Sequence, residues 1–550
     1  MSLSSQGSLR DRYYQRIRPV VGGLLHGKRV GVTCPELLAT AVDALARSGV
    51  LSWRVCPGPL VAVGSPLAVA LGERWIGWRA GEALLAHLRE HNQWEDRWDL
   101  RVVDEPLADS PDLLLTSRPA LLAAAAAAQV PAAAALVLEG GAATGLLLGH
   151  PTLPPPPAEL LELLAAAACL APGAPARRLD LLDAGDLAAA VGRLLLLQGS
   201  GREAPDLQAR TLGVGATLIL RGSPRWPWEV TFVPPSARES LARMLGQPWP
   251  RPDDEAVRQG LWRRQRLLVI GCGTASNWLP ELGARFGTLG LMDGKAFSVE
   301  NPVRQLVRTA LVEGQLKPFA LIEELSRRAG PERADDWRSR LVACPLHATL
   351  EDPASVDAYT RLLDELRPDL VLVGVGRSPL GDDYLLTREL RRRGIPHLVA
   401  TAFPGVTHYK HLVIDGRGGL AYDQLQGRLA VDRGPAPALD EEARQLFYGG
   451  TQPATLVETL PSVHSGLRLL EQLALPAALR RPWFSRLLGS ERPCLVGANR
   501  VASTASGPLY GVEHPFQLVA YGPTGELLAA ADAAATPSLP PGRHPGGVGE

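Results

Sequence analysis

Short, continuous apolar runs alternate along this chain with stretches whose apolar positions recur every three or four residues. Residues 28–33 (KRVGVT) read as a buried strand, followed by a helical pattern through LLATAVDALARSG and a second strand-like run at 52–57 (SWRVCP). The same order returns in the second half, with RLLVI at 266–270, a helical pattern through NWLPELGARFG, and TLGLMD at 288–293. LRVVDE and DLLLTSRP then correspond to RLVACP and DLVLVGVGRSP. VPAAAALVLEGGAATGLLLG corresponds to IPHLVATAFPGVTHYKHLVIDG, each an apolar strand entering a glycine turn and a second strand. Strands that are apolar at every position are buried on both faces, so the pattern predicts an α/β fold with parallel sheets covered by helices. Its repetition predicts two doubly wound domains related by duplication.

The expected boundaries are a first domain at 1–210, a packed connector at 211–255, a second domain at 256–480, a small β element at 481–534 and a disordered tail at 535–550. The connector carries strand-like ATLILRG and WEVTFV and a helical pattern at 236–245, too many large apolar residues for a flexible linker. The β element rests on ERPCLVGANRVAST and the alternating FQLVAYGPTGELLAAA, and the tail is rich in Pro and Gly.

Composition changes this picture little. In 550 residues, 57 basic groups balance 57 acidic ones, which leaves no net field for nucleic acid or a membrane surface. The first residues lack a signal-peptide core and the Leu- and Ala-rich runs are interrupted before they span a bilayer, so the expected location is cytoplasmic. Six scattered cysteines form no CxxC pair, so no zinc is expected. Lysine is rare, at Lys28, Lys295, Lys317 and Lys410, and two of these fall beside the candidate site.

The strand RLLVI ends at Gly271-Cys272-Gly273-Thr274-Ala275-Ser276 and enters a helix. Glycines there permit a tight turn and close approach of phosphate to main-chain N–H groups at a helix N-terminus. Ser276 replaces the last glycine of the usual fingerprint, and the loop alone is equally compatible with NAD or FAD. The next strand ends in Asp293, a carboxylate suited to ribose hydroxyls. A dehydrogenase needs nothing special beyond it, whereas this chain continues with Asn301-Pro302-Val303-Arg304-Gln305 and then Lys317. Arg304 as a planar fork and Lys317 as a point charge are suited to an anionic triphosphate.

Gly271, Gly273, Asp293, Asn301, Arg304, Gln305 and Lys317 together resemble the ThiF/MoeB and ubiquitin-activating enzyme superfamily. The resemblance is sharpest over 266–317, weaker to about 475, and extends to 1–210 as a fold-level pattern. It implies Rossmann-like, ThiF-type domains and the ATP-dependent adenylation of a protein's C-terminal carboxylate, with Asp293 on the ribose and Asn301, Arg304 and Lys317 on the phosphates. Residues 12–17 (RYYQRI) resemble the family's amino-terminal arginine element, which makes Arg16, or failing that Arg12, the residue supplied across the dimer. The first half has Thr33-Cys34-Pro35-Glu36 in place of the glycines and Cys56-Pro57-Gly58 in place of the aspartate. A degenerate domain paired with an active one then forms an intramolecular pseudo-dimer.

Where the family holds magnesium with an aspartate this chain has Gly376, so Asp382 or Asp383 is the substitute candidate. The expected cofactors are ATP and Mg2+, and the expected partner is a small ubiquitin-like protein, with a conjugating-enzyme-like protein after it. No cysteine occurs between 345 and 493, which leaves Cys494 as the thioester candidate, with Cys272 and Cys344 read as structural. Adenylation without an enzyme thioester stays open. The alternative is an impaired scaffold that presents a peptide or carrier protein during modified-peptide biosynthesis, favoured by Gly376. An oxidoreductase rests on the glycine loop alone. His408 and His411, in a predicted strand, do not suggest a metal site, His464 reads as helix packing, and Trp75, Trp78, Trp94 and Trp98 read as core before docking surface.

Overall fold

The computed structural model describes residues 27–47, 49–63, 65–91, 98–116, 118, 120–130, 132–137, 143–149, 216–222, 231–233, 257–258, 260–298, 301, 305, 314–328, 334–349, 352–375, 382–403, 408–414, 469–480, 494–504, 507–521 and 527–532. Among them no helix is long and apolar enough to cross a membrane. Arg12, Arg16, Trp94, Arg304, Gly376 and His464 lie outside the described residues, as do the side chains of Asp382, Asp383, His408, His411 and Cys494.

The first half runs β1 (Arg29–Val32), α1 (Pro35–Arg47), β2 (Ser52–Val55), α2 (Pro66–Leu71), α3 (Ala80–His91), β3 (Asp99–Val102), β4 (Leu113–Thr116), α4 (Ala120–Ala127), β5 (Ala132–Val137) and β6 (Ala143–Gly149). Strands β7 (Ala216–Gly222) and β8 (Thr231–Val233) follow, and the sheet order is β3-β2-β1-β4-β5-β6-β7-β8. The first five of these are parallel and the rest antiparallel.

The second half repeats the plan. It contains β9 (Arg266–Ile270), α5 (Leu279–Arg285), β10 (Thr288–Met292), α6 (Lys317–Arg328), α7 (Ala334–Arg340), β11 (Leu341–Cys344), α8 (Pro353–Leu366) and β12 (Leu370–Val373). After these come α9 (Asp382–Arg392), β13 (His397–Phe403), β14 (His408–Ile414), β15 (Cys494–Thr504), β16 (Gly507–Tyr521) and β17 (Leu527–Asp532). The order β11-β10-β9-β12-β13-β14-β15-β16-β17 is the order of the first sheet with one strand added. The piece ATLILRG and the last three residues of WEVTFV thus extend the first sheet, and Cys494 begins a strand paired with both β14 and β16.

Alternation along β9 explains the burial of this sheet. Leu267 and Val269 join one apolar cluster with Leu282 of α5 and Leu321 and Leu325 of α6, while Leu268 and Ile270 join another with Tyr359 of α8 and Leu390 of α9. All four strand residues are essentially inaccessible, so truncating Leu267, Leu268 or Ile270 to alanine costs about 2–5 kcal/mol. The helical turn at 469–473 closes the first of these faces: Trp262 Nε1 donates to the Glu471 carbonyl at 3.2 Å, and Arg285 pairs with the Glu471 carboxylate. Across the two halves, α2 packs against α6.

Trp75 is buried and meets exposed Trp78 edge-on, with ring centroids 5.4 Å apart. The segment after β9 departs from the expected helix in its first turns. It winds as a 3-10 helix over Thr274–Trp278 and becomes α-helical only at Leu279. Pro280, which has no N–H to donate, fits the first turn of an α-helix and sets where it starts.

Candidate functional site

In a sheet of order 3-2-1-4, the strand order reverses between the first and fourth strands, here β9 and β12, and a crevice opens beyond their carboxyl ends. Gly271, directly after β9, has φ +85, and its N–H donates to the Met292 carbonyl at 2.8 Å. A Cβ there would lie 2.8 Å from Val375 Cγ1 and 3.0 Å from the main chain of Gly374 and Val375. A Cβ on Gly374 would meet that of Ala275 at 2.6 Å. The two loops at the reversal therefore touch through glycines that no other residue can replace without strain. Gly273 differs. Its φ is −74 and its ψ −113, and the nearest atom to a Cβ built there is Gln305 Nε2 at 3.8 Å.

Asp293, at the end of β10, is the next part of the site. Its Oδ2 accepts from the Cys272 N–H at 2.9 Å and its Oδ1 from the Lys295 N–H at 2.8 Å. The carboxylate thereby fixes the glycine turn against the turn after β10. Each oxygen retains a lone pair for a further donor. Lys317 opens α6, and its Nζ stands 3.8 Å from Asp293 Oδ2 and 5.9 Å from the centroid of the Phe297 ring. This lysine is only 9% exposed and sits at the end of a helix whose dipole disfavours a cation. Asp293 offsets part of that cost, and a bound anion would offset more.

Asn301 is buried and closes a local turn, with its Oδ1 accepting from the Ser298 N–H at 3.2 Å and its Nδ2 donating to Ser298 Oγ at 3.0 Å. Gln305 is fully buried, yet neither side-chain atom of its amide has a hydrogen-bond partner, and the Ser276 hydroxyl is in the same state. Buried polar groups are seldom left unsatisfied, because each costs about 1–3 kcal/mol. The structure thus brings Gly271, Gly273, Asp293, Gln305 and Lys317 to one crevice, with Asn301 on the connecting turn. Ser276 was not singled out from sequence as a binding group. Its signal was only that it replaced a glycine.

Cys272 and Cys344 are poor nucleophiles. Burial, with a smaller contribution from the Asp293 charge, pushes the Cys272 thiol well above its ordinary value, and burial raises Cys344 to about 11. Neither forms a thiolate readily. Among the described residues no group of three or more His, Cys, Asp or Glu side chains is placed to hold a metal ion.

The equivalent crevice of the first half is built differently. Val32 pairs with Leu115 as Ile270 pairs with Val373, so Thr33 and Thr116 occupy the places of Gly271 and Gly374. Their hydroxyls hydrogen-bond at 2.7 Å, which fills with side chains the space that the glycines leave to the main chain. Cys56 follows β2 where Asp293 follows β10. Glu36 lies in the first turn of α1, and burial raises its carboxyl above the usual range.

No protein-family profile matches the chain, and no curated protein does. Among solved structures it is similar to PaaA at 12% identity and a TM-score of 0.29, covering 44% of this chain and 62% of that one, less than two thirds of its length. It is similar to E. coli MccB with ATP at 12% identity and a TM-score of 0.31, covering 52% of this chain and 68% of that one. It is similar to the microcin C7 biosynthetic enzyme MccB in complex with N-formylated MccA at 10% identity and a TM-score of 0.32, covering 65% of this chain and 89% of that one. Likenesses this distant carry no inference about the substrate or activity of this chain.

Proposed function

We propose that the second half binds ATP on the Gly271–Gly273 turn and adenylates the C-terminal carboxylate of a small ubiquitin-like protein. The observation that carries this reading is the pair of buried, unpartnered groups, the Gln305 amide and the Ser276 hydroxyl, beside a turn that leaves room at Gly273. In this reading Asp293 accepts from the ribose hydroxyls, and main-chain N–H groups of the turn, with Gln305 and Ser276, meet the phosphates. Lys317 and Arg304 balance the negative charge that develops as the carboxylate oxygen attacks the α-phosphorus and pyrophosphate leaves. The products are an acyl-adenylate and pyrophosphate. Magnesium, brought in with the triphosphate, would neutralise phosphate charge. The filled first-half crevice supports a division of labour in which that half is a degenerate partner. The raised Cys272 and Cys344 thiols support adenylation without an enzyme thioester at either position.

The test is pyrophosphate exchange into ATP in the presence of small proteins ending in Gly-Gly. Exchange that depends on such a protein and disappears in Lys317→Ala supports the reading. Absence of exchange with all of them, despite ATP binding, sinks it. A second reading, a scaffold that presents a peptide or carrier protein, is favoured by one feature of the β12 loop. Gly374 serves there for close packing against Gly271 and Ala275, and the loop continues to Gly376 with no carboxylate before Asp382. Under this reading Lys317→Ala retains full activity in the pathway.

A further inference from the structure

We infer that Arg47, a residue of the first half, is a positioning residue for the nucleotide site of the second half; this rests on the ATP reading above. Arg47 ends α1 and is only 3% exposed. Its Nε donates to both carboxylate oxygens of Asp43 at 3.0 Å, one helical turn back, and His87 Nε2 of α3 lies 3.6 Å from Asp43 Oδ1. The guanidinium is thereby held in one orientation, at the helix end whose dipole favours a cation. Its remaining reach goes outward. Nη1 donates to the main-chain carbonyl of Gln305, 258 positions away, at 3.5 Å.

Gln305 is the residue whose unpartnered amide lies beside Gly273. Anchoring its carbonyl fixes the peptide plane and so the direction in which the side chain leaves the main chain. The first half also contacts α6, the helix that begins with Lys317, through α2. Gln305 and the helix that carries Lys317 are therefore both in contact with the first half. Preorganised donors are worth more than mobile ones in binding an anion, because the ordering is complete before the ligand arrives. A residue that only filled the contact between halves would need neither the carboxylate clamp nor a donor aimed at this carbonyl.

The experiment is calorimetric titration of the full-length protein with ATP alone, for the wild type, Arg47→Lys, Gln305→Ala and the double variant. Lysine keeps the charge pair with Asp43 but lacks the second nitrogen that reaches Gln305. Arg47→Lys should weaken ATP by about tenfold, the worth of one hydrogen bond to a charged group. In the Gln305→Ala background the same change should have no further effect, because the amide it positions is gone. Equal affinity in Arg47→Lys, or effects that add in the double variant, overturns the inference and leaves the ATP reading standing. A wild type that does not bind ATP overturns both. If Arg47→Lys does not fold, Asp43→Asn, which releases the clamp, takes its place in the same cycle with the same two outcomes.

Discussion

The carboxylate of Asp293 and the main-chain nitrogen of Cys272 are joined by a 2.9 Å hydrogen bond that ties the end of β10 to the glycine turn after β9. With the 2.8 Å bond from Lys295 N–H to the other oxygen, one side chain orients both turns that border the crevice. Asp293 is therefore a structural bracket and a candidate ribose acceptor at once, and its replacements separate the two roles.

Asp293→Asn keeps one acceptor oxygen but turns an NH2 group toward an N–H donor. The expected loss of stability is about 1–2 kcal/mol, for one hydrogen bond replaced by two opposed donors. ATP affinity should fall by more than tenfold, since a charged acceptor facing the ribose is lost as well. Chemical denaturation and calorimetric titration measure the two effects independently. Retained affinity in a folded Asp293→Asn protein would remove the ribose role.

The two glycines of the turn should behave oppositely. Gly271→Ala places a Cβ 2.8 Å from Val375 Cγ1 at φ +85, so it should destabilise the protein by about 1–3 kcal/mol. Gly273→Ala meets nothing closer than 3.8 Å, so it should cost less stability than Gly271→Ala. Its methyl group enters the space proposed for phosphate, so ATP binding should be lost. A Gly273→Ala protein that binds ATP as the wild type does would move the phosphates elsewhere.

Much of the fold was legible in the residues, for a physical reason. β9, β10 and β12 are apolar at nearly every position because both of their faces are covered, and such runs announce themselves. The antiparallel strands β7, β8 and β15–β17 were visible as strands, but their membership in the two large sheets was not, because pairing partners such as Leu412 and Val496 are set by contacts distant along the chain. At the site, Gly271, Asp293 and Lys317 could be read from type and spacing. Gln305 could be named as well, but not that its amide is left unpartnered, nor the Ser276 hydroxyl or the reach of Arg47, since each depends on what the folded chain places beside it. The 3-10 turns at Thr274–Trp278 were missed because Pro280 was read as part of a helix that had already begun.

The thiols offer a prediction that needs no ligand. With Cys344 at about 11, roughly one thiol in a thousand is ionised at pH 8, and Cys272 is raised well above its ordinary value too. Iodoacetamide at pH 8 should therefore leave both unlabelled in the native protein and label both in denaturant, as read by peptide mass spectrometry. Cys272→Ala should retain pyrophosphate exchange. Rapid native labelling of Cys272 would show that the turn opens, and loss of exchange in the alanine variant would reinstate it as a participant.

His397, in β13, gives the pH dependence of the second sheet. It is fully buried with Nδ1 2.9 Å from the Ile395 carbonyl, and burial, reinforced weakly by the Arg391 charge, lowers its pKa to about 4. The unfolded chain takes up the proton near 6.5, so between these values the unfolded state holds more protons than the native one. Stability is thus fully present above pH 6.5 and is lost as pH falls toward 4. The loss from this one group should be about 2 kcal/mol at pH 5 and about 3 kcal/mol once pH drops below 4. His397→Gln carries no titrating group, so its stability difference from the wild type should shrink by the same amount between pH 7 and pH 5. Urea denaturation at the two pH values measures this. Parallel losses in wild type and variant would mean that His397 is protonated in the native sheet and that its burial is incomplete in solution.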